Sequence, residues 1–371
     1  MKLRVRKSTK RVVPVNDIVG KELLKNFKKG VVSVEDIRDK AKVIQSRCFD
    51  EKIKVSDLSF RGMVDSSNTQ MFSLDTGNEE AKSILTPYSL AQLGTRYGIP
   101  SRYVNKCVSV GKSHSGFIPL VEENYKRWMN IDHNEVVLRQ YDNVTSDGTI
   151  AVTRGIVTPK YKIFDTSEIM EVIAQNFDTR KNYSVRQYLM NPERFHIRLV
   201  SDEQLDVPEE DLYMGITIDS SDVGRSSLCV RGIIFKQVCS NGLILPKSIG
   251  DMYRQIHVGI GADRFYEDLV ACVAALSDMK VHAENIINSA IDSKVIPFDI
   301  NDEDDVEKFR KKYVGLSKET MNDIIELMNN EVYGDADSRW GLVNSITEVA
   351  QKYSLETRIN LEKTAGLLLV A

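Results

Sequence analysis

The stretch LCVRGIIFKQV, at residues 228–238, carries apolar side chains on both of its faces. Successive side chains of a β-strand point to opposite sides, so Leu228, Val230 and Ile234 face one way and Ile233 and Phe235 the other. A strand that is apolar on both faces is typically covered on both sides by other elements. The stretch therefore predicts a strand buried between two layers of structure.

This strand leads into Cys239-Ser240-Asn241-Gly242, a segment with a thiol, a hydroxyl and an amide. Asn-Gly is the strongest short signal for a hairpin turn, so the segment predicts a hairpin before it predicts a chemical site. Cys229 and Cys239 share one face of the strand and are expected to be small core residues.

The rest of the chain divides into strand-rich and helical parts. EVVLRQY at 135–141 and TIAVTRGIVT at 149–158 are predicted to pair across Asp147-Gly148. A helix follows, with Asp165 and Glu168 as its N-terminal cap pair. Four more strands are expected in RFHIRLV, LYMGITID, SLCVRGIIFKQV and YRQIHVG. After Gly261 the patterns are helical to the end.

These patterns predict an α+β fold: a central, mainly antiparallel sheet with an embedded helix, an N-terminal helix and strand segment, and a C-terminal helical part. In the N-terminal segment, Thr86 and Pro87 predict a helix start and Gly98 its end. Four divisions are expected. They are a basic N-terminal arm (1–32), a helix/strand segment (33–134), a mainly antiparallel β region (135–260) and a C-terminal helical region (261–371).

The composition limits which classes of function are compatible with the chain. The 371 residues include 50 Lys and Arg against 53 Asp and Glu, a formal net charge of -3. This balance argues against a protein that coats nucleic acid over its whole surface, but it is compatible with a local basic groove. The five cysteines and five histidines are scattered without metal-ligand spacing, which favours reduced thiols and no structural metal.

The expected location is the cytoplasm. No apolar run approaches the roughly 18 to 20 residues that a membrane span needs, and the N-terminus lacks the apolar core of a signal peptide. The first 30 residues hold ten Lys or Arg against Asp17 and Glu22. This arm is either a phosphate-binding segment acting through charge or a solvated, frayed terminus.

Several stretches resemble one family. The stretches are GITIDSSDVGRSSLCVRGIIFKQVCSNGLIL, TRGIVTPKYKIFDTSEIMEVI, LAQLGTRYGIPSRYV, RWGLVNSITEVAQ and RINLEKTAGLLL. They resemble the phage/plasmid-like family known as domain of unknown function 932. The resemblance covers about residues 85–371, and the Cys-Ser-Asn-Gly and Trp-Gly-Leu-Val-Asn stretches are its most specific parts. The family has no agreed activity. Its setting implies DNA metabolism of mobile elements or counter-defence, and its core is similar to that of phage single-strand annealing proteins.

Basic residues of the β region are the candidate nucleic-acid contacts. Lys160, Tyr161 and Lys162 alternate charge with an aromatic ring, which suits phosphate contact and base stacking; the alternative is an ordinary edge strand. Arg154 shares a strand face with apolar residues, so it either reaches a ligand or forms a buried pair with a carboxylate. Arg198 and Arg231 are expected to extend the groove.

A polar stripe near the C-terminus is the second candidate site. Trp340, Asn344, Thr347 and Glu348 share one face of a predicted helix. Such groups beside an apolar face form either a hydrogen-bond network that fixes helix packing or a pocket for a nucleotide or a partner.

Three functions follow from these observations. The first is a non-enzymatic DNA-associated protein that binds or anneals single-stranded DNA, with a homo-oligomer expected. The second is an interaction protein that binds a host protein and blocks defence. The third is a metal-dependent nuclease using Asp219, Asp222, Asp335 and Asp337. No catalytic or cofactor fingerprint is present in the sequence, so no catalytic residue, metal ligand or cofactor is predicted for the first function.

Overall fold

The computed structural model describes residues 32–64, 70–76, 82–111, 114, 116–145, 148–176, 183–236, 241–245, 251–255, 267, 270–271, 276–293, 296–313, 316–331 and 333–370. The fold is α+β, as the sequence predicts, with two mostly antiparallel sheets in place of one central sheet. The described helices are α1 (Val34–Gln45), α2 (Pro87–Arg96), α3 (Ser101–Gly111), α4 (Phe117–Asn130), α5 (Thr166–Asn176), α6 (Leu276–Asp292), α7 (Glu303–Lys312), α8 (Lys318–Asn329), α9 (Arg339–Ala350) and α10 (Leu355–Leu369).

The described strands form two sheets. They are β1 (Cys48–Lys54), β2 (Ser59–Val64), β3 (Gln70–Asp75), β4 (Lys82–Leu85), β5 (Glu135–Thr145), β6 (Gly148–Val157), β7 (Tyr183–Asn191), β8 (Arg194–Gln204), β9 (Leu212–Ser220), β10 (Leu228–Lys236), β11 (Asn241–Ile244) and β12 (Asp251–Gln255). Sheet I has the order β1-β5-β6-β4-β3-β2, and sheet II has the order β11-β10-β9-β8-β7 with β12 also paired to β10.

Sheet I combines strands from two of the predicted divisions. β5 and β6 form the predicted hairpin, with Thr145 paired to Gly148. β4 pairs with β6 in parallel, which is possible because a long crossover containing α2, α3, α4 and β5 separates them in the chain. The predicted boundary between residues 134 and 135 therefore cuts through this sheet and does not separate two structural units.

Helices α2 to α4 cover one face of sheet I. Thr86 caps α2 by accepting a hydrogen bond from the Ser89 N–H at 3.2 Å, and Pro87 is its first residue, as predicted. Gly98 has φ +66°, the left-handed conformation that ends a helix most easily at glycine. The core between these helices and the sheet is built from Phe60, Leu74, Leu93, Val121, Tyr125 and Leu138, among others.

Sheet II contains the strand that is apolar on both faces. In β10, Leu228, Val230 and Ile234 belong to the main core of the protein. Ile233 and Phe235, on the opposite face, pack in a second cluster that includes a residue of α10, Ile359. The prediction of a strand covered on both sides is confirmed.

A hairpin follows β10, as predicted, but Asn241 and Gly242 are strand residues and not its turn. Lys236 pairs with Asn241, so Asn241 and Gly242 begin the returning strand β11. Cys229 is buried with 3% of its surface exposed, as expected, whereas Cys239 lies outside the described residues.

The main core lies between sheet II and a layer of helices. It draws residues from α1, α5, α6, α8, α9 and α10. The described helices of 261–371 agree with the predicted helical region. Helix α7 begins after Asp302, whose side chain accepts the N–H groups of Asp304 and Asp305. Residues 1–31, nearly all of the predicted basic arm, lie outside the described residues. None of the described helices is long and apolar enough to cross a membrane.

Candidate functional site

Arg154 is buried at the contact between the two sheets. It lies on β6, and its Nη1 donates to both carboxylate oxygens of Asp222, at 2.7 and 2.6 Å, and to the Pro192 carbonyl at 2.6 Å. Only 2% of the Arg154 side chain is exposed. Of the two interpretations that the sequence left open, the structure contains the buried pair with a carboxylate. Arg154 does not reach an exposed groove.

Arg139 of β5 joins the same contact. Its Nε and Nη2 donate to Asp50 at 3.0 Å and Asp165 at 2.8 Å, and its Nη1 donates to the Asp222 carbonyl at 2.6 Å. Burial works against the charge on Arg139, but the carboxylates of Asp222, Asp165 and Asp50 raise its pKa above the usual value. We call these residues and Arg154 the junction cluster. It holds β1, the start of α5 and the β9–β10 loop together.

Arg139 was not predicted as a site residue. Asp165 directly precedes α5 and its backbone hydrogen-bonds to the Glu168 side chain, as the predicted cap pair requires. The Asp165 side chain, however, accepts hydrogen bonds from Arg139 and Gln45. The available signal was the arginine within the apolar strand EVVLRQY, which resembles the position of Arg154 in its own strand. A buried arginine needs a carboxylate partner. This argument, used for Arg154, applies equally to Arg139.

Arg198 also lies in an internal ion pair. Its side chain is fully buried on β8 and binds both carboxylate oxygens of Glu362 on α10, with Nη1 at 3.0 Å from Oε1. Arg358 shares this carboxylate, with Nε at 2.8 Å from Oε1. Burial, followed by the nearby charge of Arg198, lowers the pKa of Arg358 to about 10. The prediction that Arg198 lines a groove is corrected, because the pair fixes α10 on sheet II.

Arg231 belongs to a third buried group. Its Nη1 lies 2.9 Å from Oδ2 of Asp219, whose Oδ1 lies 2.9 Å from Nδ1 of His196 and 3.6 Å from Nη2 of Arg194. Burial lowers the pKa of His196 below its usual value, which favours a neutral ring. Arg231 is therefore a partner of Asp219 and not part of an exposed groove.

The four acidic residues proposed for a nuclease have separate environments. Asp222 is bonded to buried Arg154 and Asp219 to half-buried Arg231. Asp335 and Asp337 lie in the loop before α9. Within the described part of the chain, no group of three or more His, Cys, Asp or Glu residues has a geometry that could hold a metal ion.

Lys160, Tyr161 and Lys162 lie in the loop between β6 and α5 and not on an edge strand. Lys160 is exposed, and Tyr161 and Lys162 are half-buried. The Tyr161 hydroxyl donates to the Ser221 carbonyl at 3.1 Å. Burial raises the pKa of Tyr161 well above its usual value, so the phenol is neutral at physiological pH.

A second tyrosine, Tyr88, contacts the same β9–β10 loop through Arg225. Tyr88 of α2 lies under the guanidinium of Arg225, whose Cζ is 5.6 Å from the ring centroid. Gln92 donates to the Tyr88 hydroxyl at 3.3 Å and to the Val223 carbonyl at 2.9 Å. Exposed Gly224, with φ +87°, lies beside Tyr161, since a Cβ there would be 3.5 Å from Tyr161 Cε2.

We call Tyr88, Gln92, Tyr161, Gly224 and Arg225 the Tyr88–Tyr161 surface. Of these five residues, only Tyr161 is predicted from the sequence as a site residue. Tyr88 lies in a predicted helix, and Arg225 lies in a serine-rich loop far along the chain. No local pattern connects them.

The C-terminal polar stripe takes part in helix packing. The Trp340 Nε1 donates to Glu210 at 2.6 Å, and Asn344 donates to the Tyr333 carbonyl at 3.0 Å. The Thr347 hydroxyl donates to the Asn344 carbonyl at 2.9 Å. Trp340, Asn344 and Thr347 are buried and Glu348 is half-buried. Of the two alternatives, a packing network or a pocket, the structure contains the hydrogen-bond network for Trp340, Asn344 and Thr347.

No protein-family model, no curated protein and no solved structure matches the chain. The resemblance of residues 85–371 to the phage/plasmid-like family therefore stays a prediction based on the quoted motifs.

Proposed function

We propose that the chain is a non-enzymatic, DNA-associated protein of a phage or plasmid, which binds single-stranded DNA at the Tyr88–Tyr161 surface. The observation that carries the proposal is the placement of two tyrosine rings and the Arg225 guanidinium around exposed Gly224. Annealing of strands, a cytoplasmic location and a homo-oligomeric state belong to the same proposal.

The chemistry of this surface suits an extended strand. Bases of any sequence stack on aromatic side chains, each for about 1–3 kcal/mol, while cations follow the phosphates. Burial raises the pKa of Tyr88 to about 12, so its phenol carries no negative charge that would repel a phosphate. Gly224 has no side chain, which lets a ligand approach the backbone closely.

The positive charge comes from Arg225, Lys160 and the basic arm. Arg225 Nη1 lies 2.8 Å from Oε2 of Glu193, and 41% of the Arg225 side chain is exposed. Such an exposed pair is weak in water, so a phosphate can compete with the carboxylate for the guanidinium. Lys160 is exposed in the same loop as Tyr161. The arm adds ten Lys or Arg residues within the first 30 positions, whose charge attracts phosphates whatever the base sequence.

The test is fluorescence anisotropy of a labelled single-stranded oligonucleotide at low and moderate salt, beside a duplex control. We expect salt-sensitive binding that prefers the single strand, and weaker binding by Tyr88→Ala and Arg225→Gln. Arg127→Gln is the matched control, because Arg127 is also exposed and paired with one glutamate, Glu123. No binding at low salt, or equal losses in Arg225→Gln and Arg127→Gln, would contradict the proposal.

A second candidate function, binding of a host protein to block defence, is favoured by α4 and the residue after it. Phe117, Leu120, Trp128 and Ile131 are apolar and 38–68% exposed, and their helical spacing places them on one face. Contiguous exposed apolar surface is typical of a protein-binding site. If this function is the correct one, Leu120→Ser with Trp128→Ser abolishes the counter-defence activity, while Tyr88→Ala and Lys160→Ala leave it unchanged.

A further inference from the structure

A cavity of about 240 Å³ lies between sheet I and helices α2 and α3. Its walls are apolar and come from β3, β4, α2, α3 and α4, with Phe72, Leu90, Val104, Val108 and Tyr125 among the lining residues. The described lining includes no charged side chain. The cavity therefore suits a neutral, largely apolar group and does not suit a phosphate.

Aromatic rings form one side of this cavity. Phe60 stacks on Phe72, with ring centroids 5.2 Å apart, and on Tyr125, with ring centroids 4.4 Å apart. Phe72 and Tyr125 both line the cavity, whereas Phe60 is buried behind them. Another planar ring in the cavity would extend this aromatic cluster, in which offset and edge contacts between rings are favourable.

Polar side chains lie at the rim of the cavity. Ser101 and Asn105 of α3 are exposed lining residues, and their spacing of four places them on one helix face. The Gln70 Nε2 donates to the carbonyls of Met63 and Met71 at 3.0 and 2.9 Å, which fixes the orientation of that amide. These two bonds use both N–H groups of Gln70 and leave its Oε1 as an acceptor, whereas the Asn105 carboxamide can offer a donor and an acceptor together to a base edge.

The cavity and the Tyr88–Tyr161 surface lie on adjacent sides of α2. Pro87, Leu90 and Ala91 line the cavity, whereas Tyr88 and Gln92 belong to the surface. An α-helix is about 10 Å wide, a distance that about three nucleotides span at ~3.4 Å each. A strand lying on the surface can therefore reach the cavity within a few nucleotides.

We infer that this cavity binds one unstacked nucleobase of the single strand held on the Tyr88–Tyr161 surface. The inference rests on the proposed function and adds to it a site for a single base. A cavity of ~150 Å³ accommodates benzene, so the larger volume here is sufficient for a bicyclic ring. The aromatic wall receives the faces or edges of the base, and the rim amides receive its polar edge.

The first experiment fills the cavity. Val108→Phe adds a ring where Val108 now lines the space, and Asn105→Ala removes a rim amide. We expect each variant to bind the oligonucleotide roughly tenfold more weakly, the loss typical of one stacked base for Val108→Phe and of one pair of hydrogen bonds to a base for Asn105→Ala. Ser109→Ala on the same helix is the control, because Ser109 is exposed and does not line the cavity. Thermal unfolding of each variant checks the fold, and Asn105→Ala provides the test if Val108→Phe does not fold.

The second experiment uses small probes on the full chain. Adenosine and indole are titrated separately and followed by chemical-shift changes, with Val108→Phe as the blocked variant. Adenosine binding that Val108→Phe abolishes supports the inference. Binding of indole without adenosine overturns it, because the cavity would then be a general apolar site.

The two proposals fail in different ways. Oligonucleotide binding that is unchanged by Val108→Phe and Asn105→Ala overturns the base site and leaves the proposed function intact. Weaker binding by Tyr88→Ala together with full binding by the cavity variants leads to the same conclusion. Absence of any oligonucleotide binding by the wild type overturns both.

Discussion

Asp222, in the loop after strand β9 of sheet II, accepts hydrogen bonds at 2.6 and 2.7 Å from Nη1 of Arg154 on strand β6 of sheet I. Both residues are buried, with 5% and 1% of their surfaces exposed. Removing one partner of a buried ion pair leaves the other charge uncompensated, which costs more than the pair itself contributes. The contact between the two sheets therefore depends on this pair.

Asp222→Asn should lower the free energy of unfolding by about 3–5 kcal/mol, because Arg154 loses its only carboxylate among the contacts described above. Urea unfolding measures this loss. Glu123→Gln is the control, since the exposed pair of Glu123 with Arg127 contributes less than ~1 kcal/mol. Equal losses in the two variants would show that the sheets do not depend on the buried pair.

Asp132 should make stability fall in acid. The hydrogen bond from Arg96, followed by those from Asn134 and Tyr97, holds the pKa of Asp132 well below its usual value. A carboxyl with a lowered folded-state pKa stabilises the fold above its unfolded pKa, near 3.8, and this contribution is lost as the pH falls below that value.

Asp132→Asn should therefore lower the free energy of unfolding by about 1–3 kcal/mol at neutral pH. It should also reduce the further loss of stability on acidification. Urea unfolding at neutral pH and at a series of pH values below 3.8 measures both effects, because the loss develops only below that value. Asp39→Asn is the control, because the Asp39 side chain is 66% exposed in its pair with Arg38. An acid dependence identical in wild type and Asp132→Asn would rule out this role.

Tyr125 should make stability fall at alkaline pH. Burial raises its pKa from 10.0 to about 12. A group whose folded pKa is raised stabilises the fold fully below the unfolded pKa, and this contribution is lost as the pH rises through the folded pKa. We expect Tyr125→Phe to reduce the loss of stability between pH 10 and about 12. Tyrosinate absorbance at increasing pH, in the native and urea-unfolded chain, measures the shift directly, and identical native and unfolded titrations would contradict it.

Removal of residues 1–11 should flatten the salt dependence of single-strand binding. This segment contains six Lys or Arg residues. The slope of log K against log salt falls by about 0.7 for each phosphate of a single strand that the shortened chain no longer neutralises. Anisotropy titrations at several salt concentrations give the slope. An unchanged slope would exclude the arm from binding.

Local patterns predicted the parts of the fold that depend on neighbouring residues. The two apolar faces of β10 are visible in eleven consecutive letters, and the start of α2 at Thr86 and Pro87 depends on hydrogen bonds within one turn. The α+β class followed from the order of such segments. Strand β7 was missed, because its sequence YSVRQYLMN lacks a clear alternation and has both faces partly buried.

The buried polar groups required information that no local pattern contains. Arg139 binds Asp50, 89 positions away, and Asp222, 83 positions away. The sequence showed that Arg154 needed a partner but could not show which carboxylate would reach it. Arg198 and Arg231 were assigned to a surface for the same reason, since their partners Glu362 and Asp219 come from other elements.

The pairing of β1 with β5 has a consequence for synthesis of the chain. Asp50 of β1 pairs with Arg139 of β5, and these residues are 89 positions apart in the chain. Ribosomes add about 5–20 residues per second. Strand β1 therefore remains without its partner β5 for roughly 4 to 18 seconds during synthesis. Its sequence CFDEKIK carries four charges in seven residues, a composition that discourages pairing with other chains. We therefore expect the charge on β1 to limit pairing with other chains until β5 has been synthesised.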